Sequence, residues 1–478
     1  MNYVLDQSKP HHRHFEQMTR IQHGSFHEKP YSDYLVAWAE EHGLRYLRDE
    51  MLNVIMYKPA SPGYEDHAPV ILQGHMDMVC VKEKGSTHDF EKDPLDLYIE
   101  DGWLRARGTS LGADDGVGCA YMLAILEDDT LKHPPLECAF TVQEEVGCFG
   151  AKALKAEYFQ ANRMIGLDDV GGGTTYVTTA GSQIIDFIKA PIWEKAAGKG
   201  YRLEAEGLVG GHSGVDIDKE RGNAIKILVK TLYSLMRKGV VIQLADADAG
   251  MAANAIPYFG EVVFTADAEE TVLQQHVLEY EQIFRDQLAH SDSGLVLKLT
   301  ACEVEQAASR KDTEELVSFL RLLPDGFMHK DLIKEGAITT SSNLGTFKKD
   351  GDRFVMQVMT RSSFDSYLAM IEEEQILLSE LFRVERNMLG QLPGFNYIEN
   401  SKIRKTVDEC FYQVSGRHLE ELFVHGGIEA AYIVKLKDNM DIVTIGPLAP
   451  DEHTVKESLN LASFDEIYET IKLTLSVL

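Results

Sequence analysis

The sequence predicts an α/β body interrupted by an inserted α+β domain, and three observations carry that expectation. Val70, Ile71 and Leu72 form a short, β-branched apolar run of the kind a buried parallel strand uses, with Gly74 at its end to let the chain turn. Two further apolar runs, residues 136–142 and 164–167, also stop abruptly at charged side chains. Near Ser182 the pattern changes to strands and helices in alternation with little clustered charge, and near residue 397 the earlier style returns. The expected division is therefore 1–181, 182–396 and 397–478, with the first and last parts forming one domain.

At 478 residues the chain exceeds one ordinary core, and two domains are expected. Hydrophobic residues at 44% and charged residues at 26% suit a soluble globular protein. The 47 basic and 76 acidic side chains give a net charge of −29, which argues against nucleic acid or an anionic membrane surface as partner. Six cysteines without a CxxC pair read as reduced residues of a cytoplasmic protein. The first ten residues lack the features of a signal peptide, and no apolar run approaches the length of a membrane span.

Taken in order, His11, His12 and His14 form a polar cluster beside Pro10 without a nearby carboxylate partner, which suits a solvated helix start. A helix is expected over 31–42, ended near Gly43, and a strand over 51–57. After the strand at 70–72 come His75 and Asp77. A hairpin follows around Asp101 and Gly102, then Asp114 and Asp115 among four glycines at the entrance to a helix over 117–127. The strand at 136–142 leads into Glu144 and Glu145, and that at 164–167 into Asp168 and Asp169. Three strand ends thus deliver imidazole or acid groups, and strand carboxyl ends are where ligands collect in open α/β sheets.

In the insert, strands are expected at 184–189, 262–266, 294–300 and 354–361, and helices at 223–238, 269–290, 313–323 and 364–384. The last part carries helices at 402–415 and 428–436, a strand at 442–445, and a loop with Glu452 and His453. A final helix is expected to open with Ser463 and Glu466 as a capping box.

His75, Asp114, Glu145, Asp168 and His453 supply two imidazoles and three carboxylates, a set that suits two divalent ions sharing one carboxylate. Glu144, beside a ligand, could move a proton between water and a leaving amine. Chemistry alone allows metal-assisted hydrolysis of an amide or of a phosphate ester.

The motifs His75-Met-Asp77, Gly112-Ala-Asp-Asp-Gly116, Glu144-Glu145-Val-Gly147, Asp168, Gly210-Gly-His-Ser-Gly214 and the late His453 together resemble the M20 metallopeptidases. Within them the likeness is to the aminoacyl-histidine (Xaa-His), or cytosolic non-specific, dipeptidases. The resemblance implies a zinc-peptidase-like α/β domain with a mixed, mostly parallel sheet, interrupted by an α+β lid domain that often pairs into homodimers. It implies a small unblocked peptide as substrate and two divalent ions, zinc first, with manganese or cobalt as alternatives. By resemblance Asp114 bridges both ions, His75 and Asp168 complete one site, and Glu145 and His453 the other. Asp77 orients His75, and Glu144 is the general base. His212 polarises the scissile carbonyl, while Asn254 and Arg361 hold the free carboxylate. Members commonly have Asp-Asn-Gly where this chain has Asp114-Asp115-Gly116, so two adjacent acids compete for the bridging role. A related aminopeptidase or tripeptidase, or a binding protein without turnover, are the other readings.

Overall fold

The apolar run at 70–72 becomes the strand Val70–His75, buried at every position, in a computed structural model that describes residues 3–332, 334 and 336–478. Gly74 stays in the strand rather than turning the chain. A Cβ there would meet Asp115 Oδ2 at 2.3 Å, so the glycine answers a close approach rather than a bend.

The chain divides into two units. The first runs to Thr178 and resumes over Asn396–Phe423 and Ile428–Leu478. Its six-stranded sheet has the spatial order Arg45–Arg48, Val54–Lys58, Leu136–Thr141, Val70–His75, Arg163–Gly166 and Asp441–Thr444. The last four strands pair in parallel and the first two antiparallel, which gives the mixed, mostly parallel sheet. Val70–His75 therefore lies between Leu136–Thr141 and Arg163–Gly166, so the three strand ends singled out above are neighbours. Helix Ala113–Glu127 is buried almost all round, as expected of a helix apolar on every side. It packs among Phe15, Phe464, Tyr468 and Ile471 in one core.

The second unit covers Thr179–Phe395 and Val424–Gly427. It is built on an antiparallel sheet with Val296–Cys302 at one edge and Glu385–Leu392 at the other. Four helices of 13 to 18 residues accompany it: Ala224–Arg237, Glu270–Gln287, Arg310–Leu322 and Asp365–Phe382. Asn223 caps the first by accepting from the Ile225 and Lys226 amides. Val424–Gly427 groups with this unit, although sequence order puts it inside 397–478.

Two local expectations are corrected. Asn460, not Ser463, caps the helix Leu461–Val477 and accepts from the Ser463 amide at 2.9 Å; the Ser463 hydroxyl instead accepts from the Leu448 amide at 3.0 Å. The histidine cluster is not solvated. His11, His12 and His14 are 3%, 3% and 5% exposed. Asp465, remote in sequence on the last helix, takes the Nε2 atoms of His11 and His12 on one oxygen at 2.9 and 3.0 Å and the Lys9 ammonium on the other at 2.5 Å. Rings of Phe464 and Tyr468 stack on the two imidazoles. These three side chains could also hold an ion. Among the described residues, however, Nδ1 of each ring has no partner, whereas metal-bound imidazoles normally donate there. The cluster is a clamp between the ends of the chain.

Replacing Asp465 by alanine should cost about 1–3 kcal/mol by leaving the buried imidazole N–H groups unpaired. Amide exchange in Pro10–Met18 would report it as lost protection. Burial, with His12 and Lys9 adding to it, pushes His11 down to about 4. The unfolded chain thus takes up this proton first, near about 6.5. The clamp should weaken as pH falls from there toward 4, and not at alkaline pH.

Candidate metal centre

Three neighbouring strands end on one edge of the first unit's sheet and set the geometry of the centre. His75 closes its own strand. After Leu136–Thr141 the chain takes a left-handed turn at Gln143, φ 56°, which presents Glu144 and Glu145. Asp168 lies two residues past Gly166, the end of the third strand. Asp114 arrives from the start of helix Ala113–Glu127 with non-helical backbone angles, and His453 from the loop before Ser458–Asn460.

These side chains converge. Asp114 Oδ1 lies 2.9 Å from His75 Nε2, and its Oδ2 lies 3.2 Å from His453 Nε2. His453 Nε2 is also 2.9 Å from Glu145 Oε2. The donor atoms of His75, Asp114 and Asp168 form one group, and those of Asp114, Glu145 and His453 a second, each within 4.8 Å. Asp114 belongs to both.

Asp115 stands elsewhere. Its carboxylate accepts from the His75 amide at 3.2 Å and the Gly118 amide at 3.0 Å, and it is 1% exposed. A side chain at Gly74 or Gly118 would collide with it. The second acid therefore sits behind the centre, holding the backbone of His75.

The electrostatics call for cations. Burial, then the charge of Asp114, hold the Asp168 carboxyl far above its usual range. Against the cost of burial, the hydrogen bond to Asp114 and the nearby Asp77 carboxylate hold His75 well above the ordinary imidazole value. Contacts with Asp114 and Glu145 raise His453 to about 10. Among the described residues no lysine or arginine pairs with Asp114, Glu144, Glu145 or Asp168. Glu145 Oε1 is buried without a partner among the described residues. His75 Nδ1 is occupied by the Asp77 carbonyl at 3.1 Å, which leaves Nε2 toward Asp114. Imidazole nitrogens, carboxylate oxygens and an orphaned acceptor, with no lysine or arginine among the described residues of the group, fit two divalent ions, which would take the place of the protons on His75 and His453.

Asp77 works differently from the expectation. Its carboxylate stands 3.6 Å from His75 Nδ1, beyond a hydrogen bond. It accepts instead from the Ser25 hydroxyl at 2.8 Å and the Glu144 and Glu145 amides at 3.0 and 3.4 Å. It thereby fixes the turn that carries both glutamates. Burial, with Asp114 and Glu145 nearby, raises the Glu144 carboxyl. The fully buried Glu429 was given no role from sequence. It accepts from Gln73 Nε2 and Thr141 Oγ1, both at 2.6 Å, and so ties two ligand-bearing strands together.

His212, Asn254 and Arg361 belong to the second unit. The Ser213 amide donates to the Asn254 carbonyl at 2.8 Å, which places Asn254 beside His212. Arg361 lies opposite Ser341 in the strand register. The Ser341 hydroxyl meets His425 Nε2 at 2.7 Å. Burial and the charge of Arg361 lower both imidazoles, His425 to about 3, so both are neutral. Arg361 is 5% exposed, and among the described residues its Nε has no partner. The polar run holding Ser341 and Asn343 gave no strand signal, yet it lies in the 13-residue strand Ile338–Asp350.

A model of the peptidase family M20/M25/M40 matches residues 71–477. The cytosol non-specific dipeptidase of Escherichia coli (strain K12) is 33% identical over 456 residues, which is 94% of this chain and 93% of that protein. The crystal structure of the aminoacylhistidine dipeptidase from Vibrio alginolyticus superposes with a TM-score of 0.92 at 28% identity, covering 99% of this chain and 97% of that one. An aminopeptidase from Bacillus cereus, TM-score 0.55 at 15% identity over 99% and 98% of the two chains, shares the fold alone.

Proposed function

Because the chain belongs to the peptidase family M20/M25/M40, a family of metal-dependent hydrolases, we propose that it is a dinuclear dipeptidase hydrolysing unblocked dipeptides, Xaa-His among them. The observation that carries this is Asp114, whose two oxygens face two imidazoles from opposite ends of the chain amid acids that, among the described residues, have no lysine or arginine partner. The names and similarity of the Escherichia coli and Vibrio alginolyticus dipeptidases support the substrate class. The former also supports a cytoplasmic location, and among the described residues no helix is long and apolar enough to cross a membrane.

In this reading His75, Asp114 and Asp168 hold one ion and Asp114, Glu145 and His453 the other, with zinc first and manganese or cobalt as alternatives. Bound ions of this kind polarise a carbonyl and bring the pKa of water down toward about 7. Glu144 takes the proton from the attacking water and returns it to the leaving amine. Its raised carboxyl holds a proton more readily than an ordinary glutamate, which suits that exchange. Asp77 keeps Glu144 and Glu145 in register through their amides. His212, neutral, donates to the scissile carbonyl oxygen, and Arg361 and Asn254 take the free carboxylate. Self-association through the second unit is part of the proposal. There the helix Asp365–Phe382 exposes Met370, Leu377 and Leu381.

Metal-stripped protein should be inactive on a Xaa-His dipeptide and recover with about two equivalents of one of these ions. Two bound ions without hydrolysis of any dipeptide would sink the reading. Preference for the tripeptide extension would move the assignment to a tripeptidase.

A further inference from the structure

Between the His453 loop and the last helix lies a carboxylate that touches none of the ligand side chains and is placed to control two of them. Glu457 is 4% exposed. Its Oε2 accepts from the Leu111 amide at 2.7 Å and the Gly112 amide at 3.1 Å. Its Oε1 accepts from the Ala113 amide at 2.8 Å and, more weakly, the Asp114 amide at 3.5 Å. Amides at the start of a helix have no partner within it, and a carboxylate is a strong acceptor for them. Here the helix is the one that delivers Asp114. Gly112 stands in the left-handed region, φ 68°, and a Cβ there would press on Met78, so the segment has little freedom to reach the carboxylate by another path.

The other end of the link is His453, four residues earlier in the chain. Its backbone is left-handed at φ 61° and its side chain is 46% exposed, so packing does little to hold it. We propose that Glu457 is a positioning residue of the metal centre: by gripping the amides of Leu111–Asp114 it locks the loop of His453 to the segment of Asp114, so that both ligands are in place before an ion arrives. The inference rests on the dinuclear reading above. It adds a residue that contacts neither ion nor substrate.

Glu457→Gln tests it, because the amide group keeps the shape and turns a donor toward donor amides. The metal-stripped, full-length variant is titrated with zinc against a chromophoric chelator, and its melting temperature is measured without metal. Glu137→Gln is the control. Glu137 is equally buried and likewise accepts from backbone amides, of Gln160 at 2.7 Å and Ala161 at 3.2 Å, but near the start of its strand, away from the ligands. Both variants should lower the metal-free melting temperature. Glu457→Gln alone should weaken zinc binding, by about 10–100-fold. Glu457→Asp, which withdraws the charge by one methylene, supplies the same readout if the Gln variant does not fold. Unchanged zinc affinity in the Glu457 variants, or an equal loss in Glu137→Gln, would overturn the proposal. Fewer than two zinc ions in the wild type would overturn the dinuclear reading instead.

Discussion

Glu144→Gln is expected to bind both ions as the wild type does and to lose about 10²–10⁴ in kcat on dipeptides. The Glu144 amide is held by Asp77, and that contact involves no Glu144 side-chain atom, so the turn survives the substitution. Among the described residues the side chain itself has one hydrogen bond, from the Cys148 thiol to Oε1 at 3.5 Å, which an amide oxygen accepts equally well. What disappears is the ability to take a proton. Burial and the nearby acids already hold this carboxyl above its usual range, which brings its proton affinity closer to that of the groups it serves. Metal content measured alongside steady-state rates decides the matter. Two ions with a near wild-type kcat would remove Glu144 from the role, and lost ions would show it to be structural.

The parallel part of the fold was legible because its signal is local. Apolar β-branched runs that stop at an acid or imidazole report both the strand and the edge it points to, and residues 70–75, 136–141 and 163–166 became neighbours as that pattern implies. His75, Asp114, Glu145, Asp168 and His453 were visible because chemistry-bearing side chains stand out at strand and loop ends. What escaped was carried by contacts that sequence order hides. The burial of His11 and His12 depends on Asp465 and the rings of Phe464 and Tyr468, at the far end of the chain. Glu457 and Asp77 act on backbone amides, which leave no side-chain pattern. Gly74 looked like a turn because nothing nearby in sequence announces Asp115 against its face. Strand Ile338–Asp350 was missed because Thr, Ser and Asn fill positions that burial usually gives to apolar residues.

Arg361 sets the other large expectation, through a charge that no described carboxylate pairs with. Burial alone lowers its guanidinium to about 10, so it remains cationic at neutral pH. Among the described residues its one side-chain hydrogen bond runs to the Met359 sulfur at 3.3 Å. A buried, unpaired cation opposes folding, so a protein that keeps one gains something on binding. A dipeptide's free carboxylate is a matching anion, since the guanidinium fork accepts two oxygens at once. Arg361→Met should therefore cost about 2–5 kcal/mol on such a substrate, about 30- to 5,000-fold in kcat/KM. A dipeptide amide, which has no carboxylate to lose, should fall far less, and the metal-free melting temperature should hold or rise. If both substrates lose equally, Arg361 is supporting the structure around Ser341 and His425, and the carboxylate must be held by other groups.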